Sequence, residues 1–181
     1  MAVQVLSVVP GEVERYRPGI VEVYRRVFTA HPWSEPAEWA DGFGDGLVEW
    51  RRFTPGFRLV VALDDDRVAG FAMGATWDPE NWFCGPITQL LDPIWTRSCF
   101  HLMELALLPE HRGRKIGGLM HDEILDDLDA DTALLSTNRL GPPPAASLYI
   151  NRGWQLLLRD WRHCEECDPV HVMGAVLRPI G

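Results

Sequence analysis

Residues 100–125, FHLMELALLPEHRGRKIGGLMHDEIL, constrain the fold more than any other stretch. Residues 100–108 are almost unbroken apolar side chains, with Glu104 as the one full charge. Such a run predicts a strand buried on both faces. Pro109 ends it, because proline cannot donate to a sheet ladder. A basic turn punctuated by glycine follows, from Glu110 to Gly118. Ile116, Leu119, Met120, Ile124 and Leu125 then recur at helical spacing, with His121, Asp122, Glu123 and Asp126 between them. The unit is strand, tight basic turn, amphipathic helix.

A turn of this kind is suited to an anion. The first N–H groups of a helix have no internal partner, and the helix dipole adds partial positive charge there. Gly113, Gly117 and Gly118 leave the backbone open to close approach. Arg112, Arg114 and Lys115 add full charges, so a phosphate or pyrophosphate is the natural guest; a solvated surface turn is the plain alternative. The spacing matches neither G-x-x-x-x-G-K-S/T nor the G-x-G-x-x-G order of a dinucleotide fold.

The segment resembles the coenzyme-A motif of the GNAT family of N-acetyltransferases, R/Q-x-x-G-x-G/A. Arg112 fits the first position and Gly117 the last, while Lys115 stands where the family usually has glycine. A second stretch, Ala145-Ala146-Ser147-Leu148-Tyr149-Ile150-Asn151-Arg152-Gly153-Trp154, resembles the family's A-x-x-L-Y-x-x-x-G-F/W helix and turn. Two motifs in the family's order carry more weight than either alone.

The rest of the chain fits that order. Residues 3–9 predict a short edge strand and residues 16–28 a first helix. Ser34 is placed to cap a second helix, with Pro36 in its first turn and its end near Phe53. Residues 57–63 and 67–76 read as a hairpin around Asp64-Asp65-Asp66. Residues 77–98, with Trp77, Trp82 and Trp95, are long for a structureless loop and are read as functional or partly helical. Residues 132–138 predict another buried strand, Pro144 a helix start, and residues 154–161 and 170–177 a last hairpin. The pattern alone predicts a single α+β domain over residues 1–181 with a mixed sheet. The resemblance sharpens this to an α/β/α arrangement with a mostly antiparallel central sheet and one splayed strand pair.

Composition narrows the partners. Against 26 acidic residues stand 17 basic ones, a net charge of −9, which disfavours a broad nucleic-acid surface. No stretch is apolar enough to span a membrane, and the start reads as leaderless. The four cysteines are then expected as reduced thiols in the cytoplasm. The segment His163-Cys164-Glu165-Glu166-Cys167, with His171, carries a single C-x-x-C. That is a weak zinc signal, and no metal is expected.

The resemblance implies acetyl transfer from acetyl-CoA to an amine by direct attack. It assigns the pantetheine and thioester to the backbone of Leu105, Ala106 and Leu107. The pyrophosphate falls to Arg112, Gly113, Arg114, Lys115, Ile116, Gly117 and Gly118. Tyr149 becomes the acid that protonates the departing thiolate. Glu104 is the leading general base or acceptor anchor, ahead of His101. The family's cofactor-touching asparagine aligns with Pro142, which leaves Asn138 as its substitute. The tryptophans of residues 77–98, and Trp33 and Trp39 beside Glu35, Glu38 and Asp41, are candidate walls for the acceptor. Each of these side chains could instead be plain core or surface. A non-catalytic coenzyme-A sensor on the same fold and a longer acyl donor stay open, as do a homodimer and the identity of the amine.

Overall fold

The computed structural model describes residues 3–31, 33–81, 83–138 and 143–178. In chain order the elements are β1 (Gln4–Ser7), α1 (Val13–Phe28), α2 (Trp39–Phe53), β2 (Arg58–Asp64), β3 (Arg67–Thr76), α3 (Cys84–Thr88) and β4 (Cys99–Leu107). After them come α4 (Ile116–Leu125), β5 (Thr132–Asn138), α5 (Pro143–Ile150), β6 (Gln155–Trp161) and β7 (Val170–Val176). The strands form a seven-stranded mixed sheet in the order β1-β2-β3-β4-β5-β7-β6, with β4–β5 its parallel pair. This is the mostly antiparallel α+β sheet that the sequence predicts.

The chain divides into two compact units, Met1–Ala75 with Met103–Asp126, and Thr76–Leu102 with Asp127–Gly181. In the first, β2 and β3 pair antiparallel from Arg58↔Gly74 to Asp64↔Arg67, and β1 lies along β2. The Asp65-Asp66 turn puts Asp65 at φ 52°, a conformation in which aspartate is several-fold enriched. Alternate residues of β2 serve two layers. Leu59, Val61 and Leu63 join Phe71 and Met73 in a core under α1 and α2. Val60 and Ala62 point to the opposite face, and α4 packs on β1 and β2.

Helix α1 buries Val13, Tyr16, Ile20, Val23, Tyr24, Val27 and Phe28, an apolar stripe at helical spacing. It begins three residues before the predicted start, at Val13 rather than Tyr16. Helix α2 begins at Trp39, behind Glu38, rather than at Ser34. Ser34 instead sits at φ 51° in the connecting segment, its N–H bonded to the Ala30 carbonyl. A residue in that conformation cannot be an N-cap, whose backbone is extended. Gly44 lets the two helices meet: a Cβ there would lie 2.5 Å from Val21 Cγ2.

In the second unit β5 pairs antiparallel with β7 over seven residues, and β6 closes on β7 with two register shifts. Trp77, Cys84, Ile87, Cys99, Leu134 and Val172 form its core. The stretch from Trp77 onward is partly helical, as expected, with α3 and a 3₁₀ turn at Pro93–Trp95. Trp77 Nε1 donates to Thr88 Oγ1 at 2.8 Å, which satisfies the indole of a buried ring.

Candidate acyl-transfer site

In the first unit β4 leads through a 3₁₀ turn, Pro109–His111, into the basic segment. Arg112 Nε donates to the Leu107 carbonyl at 3.1 Å, tying the turn to the end of the strand. Glu110 receives both guanidinium nitrogens of Arg26 at 2.9 and 3.2 Å, which anchors the turn to α1. Gly113 has φ +73° with no atom within 4 Å of where a Cβ would be. Lys115 stands immediately before α4 at φ 64°, ψ 3°, in the left-handed region. That explains the glycine preference of the motif position: a side chain there costs roughly 1–2 kcal/mol.

Helix α4 starts at Ile116, and its first internal bond runs from the Leu119 N–H to the Lys115 carbonyl. The amides of Ile116, Gly117 and Gly118 therefore open the helix without intrahelical acceptors, and no acidic residue lies in that first turn. Ile116 itself is buried, so it contributes only its backbone N–H, whereas Arg112, Arg114 and Lys115 are exposed. The segment thus offers donors, positive charge and missing Cβ atoms together. A diphosphate needs those features and no metal to be held.

The β4–β5 register covers Cys99↔Thr132, Phe100↔Ala133 and His101↔Leu134. Both strands continue beyond these pairs, β4 to Leu107 and β5 to Asn138. Leu105, Ala106 and Leu107 follow these positions along β4. On its other side β4 stays in the sheet: the Leu108 N–H donates to the Ala69 carbonyl at 2.9 Å.

Glu104 is partly buried on β4 in the first unit. Desolvation raises its pKa to about 8, and the nearby Glu35 carboxylate adds to the rise. Glu35 is itself raised by burial. Its Oε2 accepts a hydrogen bond from the Tyr24 hydroxyl at 2.7 Å. Burial, the bond to Glu35 and the two carboxylates push the Tyr24 phenol far above its ordinary range. The sequence marks Glu35 only as one of several acidic side chains near Trp33 and Trp39; no spacing rule ties residue 35 to residue 104.

His101 belongs to the second unit, where burial lowers its pKa to about 4. Its ring stacks on Phe83 at 5.8 Å and meets the edge of Trp77 at 5.1 Å, and its Nδ1 lies 3.7 Å from Cys84 Sγ. A neutral histidine walled by rings is a poorer proton acceptor for an ammonium than a carboxylate near pKa 8. Phe83 extends the aromatic patch to Trp161 and His163. Trp82 lies outside the described residues.

Tyr149 is carried by α5 in the second unit, 8% exposed, with its ring 5.6 Å from Trp154. The α5 helix gives way to the sheet through Gly153 at φ +80°. Asn138 ends β5 opposite Val170; its side chain, like Pro142, lies outside the described residues.

The C-x-x-C departs from expectation. Cys164 and Cys167 form a disulfide with Cα atoms 5.0 Å apart, while Cys84 and Cys99 are free and buried. The turn between β6 and β7 folds the two exposed thiols onto each other, which the spacing alone did not reveal. Sulfurs joined in this way are not thiolate ligands, and His171 Nδ1 accepts from the Asp160 N–H at 3.2 Å. Among the described residues no group of three or more potential metal ligands occurs. None of the described helices is long and apolar enough to cross a membrane.

Comparison with known proteins shows the fold to be shared. The fold is shared with the PaiA N-acetyltransferase of Thermoplasma acidophilum, solved in complex with coenzyme A, at TM-score 0.64 and 15% identity over 97% of this chain and 99% of that one. The ribosomal-protein-S18-alanine N-acetyltransferase of Escherichia coli matches at TM-score 0.63 and 14% identity, covering 99% and 97%. An aminoglycoside 6'-acetyltransferase of type Ii matches at TM-score 0.66 and 16% identity over the whole of both chains. Among curated proteins none matches the sequence. The family model of the GNAT acetyltransferases matches residues 18–153, a span that includes the coenzyme motif, Glu104 and the second motif as far as Gly153. This chain belongs to the acetyltransferase (GNAT) family.

Proposed function

We propose that the protein is an N-acetyltransferase that moves the acetyl group of acetyl-CoA to a primary amine by direct attack, within one GNAT domain over residues 1–181. The observation that carries this reading is the turn from Arg112 to Gly118. Its left-handed Lys115 delivers the chain into α4 with three free amides at the front. Arg112, Gly113, Arg114, Lys115, Ile116, Gly117 and Gly118 hold the diphosphate, chiefly through the backbone. Solved GNAT neighbours with coenzyme A or acetyl-CoA bound support the same donor.

The backbone of Leu105, Ala106 and Leu107 takes the pantetheine and polarises the thioester carbonyl. A donor aimed at the developing oxyanion is worth about 3–4 kcal/mol in acyl transfer. The acceptor arrives as R–NH3⁺ and gives one proton to the Glu104 carboxylate. The freed lone pair then attacks the acetyl carbon, the C–S bond breaks, and the thiolate takes a proton from the Tyr149 hydroxyl. The nitrogen gives up its second proton as the amide forms, which restores Tyr149, and Glu104 releases its proton to solvent. A base of pKa about 8 is matched to an amine at neutral to mildly alkaline pH. Asn138 is assigned a supporting contact to the coenzyme. The acetyl-CoA donor supports a reaction in the cytoplasm.

The deciding experiment is a panel of primary amines with acetyl-CoA, read by thiol release, alongside the protein's melting temperature with and without acetyl-CoA. Thiol release with at least one amine and a raised melting temperature are expected. A melting temperature indifferent to millimolar acetyl-CoA overturns the reading.

A further inference from the structure

Glu104 stands on β4 beside Met103, which packs against the core holding Tyr24 and Phe28, and Tyr24 bonds Glu35; two carboxyl groups of the first unit thus act on each other without a cation among the described residues. Glu35 and Glu104 each raise the energy of a negative charge in their shared surroundings: Glu104 feels Glu35, and Tyr24 feels both. Among the described residues neither has an ion-pair partner. The arginines of α1 are engaged elsewhere: Arg15 with Glu12, Arg17 with Glu14 and Asp45, Arg25 with Glu22 and Asp41, and Arg26 with Glu110. Juxtaposing two partly buried carboxyls without a cation opposes folding, so something must hold Glu35 in place.

Tyr24 and Phe28 do so. The Glu35 N–H donates to the Phe28 carbonyl at 2.9 Å, and its Oε2 accepts from Tyr24 at 2.7 Å. The Tyr24 ring is stacked on Phe43 at 4.2 Å and packed on Phe28 at 4.6 Å, so its hydroxyl has one direction in which to point. Tyr24 stays protonated throughout the accessible pH range and remains a donor. Among the described residues, the titratable group that bears on Glu104 is Glu35, and Glu35 is bonded in turn to the Tyr24 hydroxyl of α1; neither is a cation.

We propose that Glu35, fixed by Tyr24, is a positioning and specificity residue of the acceptor subsite. It favours acceptors that arrive as cations and keeps Glu104 able to take their proton. The second carboxylate supplies the acceptor's ammonium with a fixed hydrogen-bond acceptor while Glu104 receives the proton, so the charge that leaves the nitrogen never lacks a counter-charge. The inference rests on the preceding reading of Glu104 and adds a residue that neither motif contains.

The test is Glu35→Gln, with Tyr24→Phe as a variant that keeps the packed ring but loses the bond to Glu35. Glutamate side-chain carboxyls are titrated by carbon-13 NMR in the wild-type, Glu104→Gln and Glu35→Gln proteins. The resonance lost in Glu104→Gln identifies Glu104. Its midpoint is expected to fall by at least half a unit in Glu35→Gln, and in the same direction by less in Tyr24→Phe. The acid limb of kcat/KM moves to lower pH with it, and KM for the amine rises about tenfold while KM for acetyl-CoA stays within twofold. An unchanged Glu104 midpoint, or an unchanged amine KM with folding intact, overturns the proposal. If the wild-type protein acetylates no amine yet the midpoint still moves, the preceding functional reading fails and the specificity role with it. The Glu35–Glu104 coupling then stands as a structural property only.

Discussion

The Arg112 side chain turns back to the strand it follows, with Nε 3.1 Å from the Leu107 carbonyl oxygen. The first residue of the coenzyme motif therefore works as a splice between β4 and the turn, holding the start of the turn at a fixed distance from the backbone proposed to face the thioester. Removing it with Arg112→Ala costs about 1 kcal/mol of stability, the usual worth of such a bond. KM for acetyl-CoA is expected to rise several-fold with kcat nearly unchanged. Steady-state kinetics at saturating amine measure this, and a fall in kcat alone would contradict it.

Lys115 makes an opposite prediction. At φ 64° the lysine carries a strain that glycine would not. Lys115→Gly should stabilise the protein by about 0.5–1 kcal/mol, because relief of the strain exceeds the entropy that glycine adds to the unfolded chain. For a chain of this size that is a rise in melting temperature of roughly 1–4 °C. Lys115→Ala keeps a Cβ and should show no such gain. Calorimetry of the three proteins without ligand decides the point.

Tyr149 is held by packing rather than by exposure, its ring against Trp154. Tyr149→Phe keeps that contact and removes only the hydroxyl. Turnover should fall by about 10²-fold, the lower range for a general acid, while KM for acetyl-CoA changes little. Unaltered turnover would remove Tyr149 from the mechanism.

Glu104 and His101 give stability opposite pH dependences. The Glu104 carboxyl is raised from 4.5 to about 8 in the fold. Its contribution is complete below pH 4.5 and is lost as pH rises through 8, since the folded state then gives up a proton it held more tightly. Partial exposure screens the effect to about 2 kcal/mol. In Glu104→Gln the loss of stability between pH 4 and 9 should shrink by that amount. The His101 imidazole is lowered from 6.5 to about 4. Its contribution is complete above pH 6.5 and is lost as pH falls through 4, so His101→Phe should resist acid unfolding better than wild type. Denaturant titrations at pH 4, 6, 7.5 and 9 read both.

Local chemistry was legible in the sequence. The hairpin of β2 and β3, the β4–turn–α4 unit and β5 came out within a residue or two, because alternation, proline and glycine act over a few neighbouring positions. Ser34 misled because a cap is recognised by residue type, whereas its conformation was set by the bond from its N–H to Ala30 and by the aromatic pair Phe28 and Trp33 beside it. The Cys164–Cys167 disulfide was missed since composition spoke for the whole chain and the hairpin turn for two residues. Glu35 was seen only as part of an acidic stretch. Its relation to Glu104 spans most of the first unit and depends on where Tyr24 points, which no local pattern encodes. Lys115, seen first as a departure from the motif, keeps the conformation for which the motif's glycine is selected.

The contact between Gly44 and Val21 has a mechanical consequence. With no side chain between them, and with Arg25–Asp41 and Arg17–Asp45 bridging the same two helices, α1 and α2 behave as one rigid bracket. On the proposed reading, entry of an acceptor past Trp33 and Glu35 is accommodated by torsions within the short tether between the helices, and not by the helices parting. A bulkier residue at position 44 would wedge the bracket open and loosen acceptor discrimination from a site that no acceptor touches.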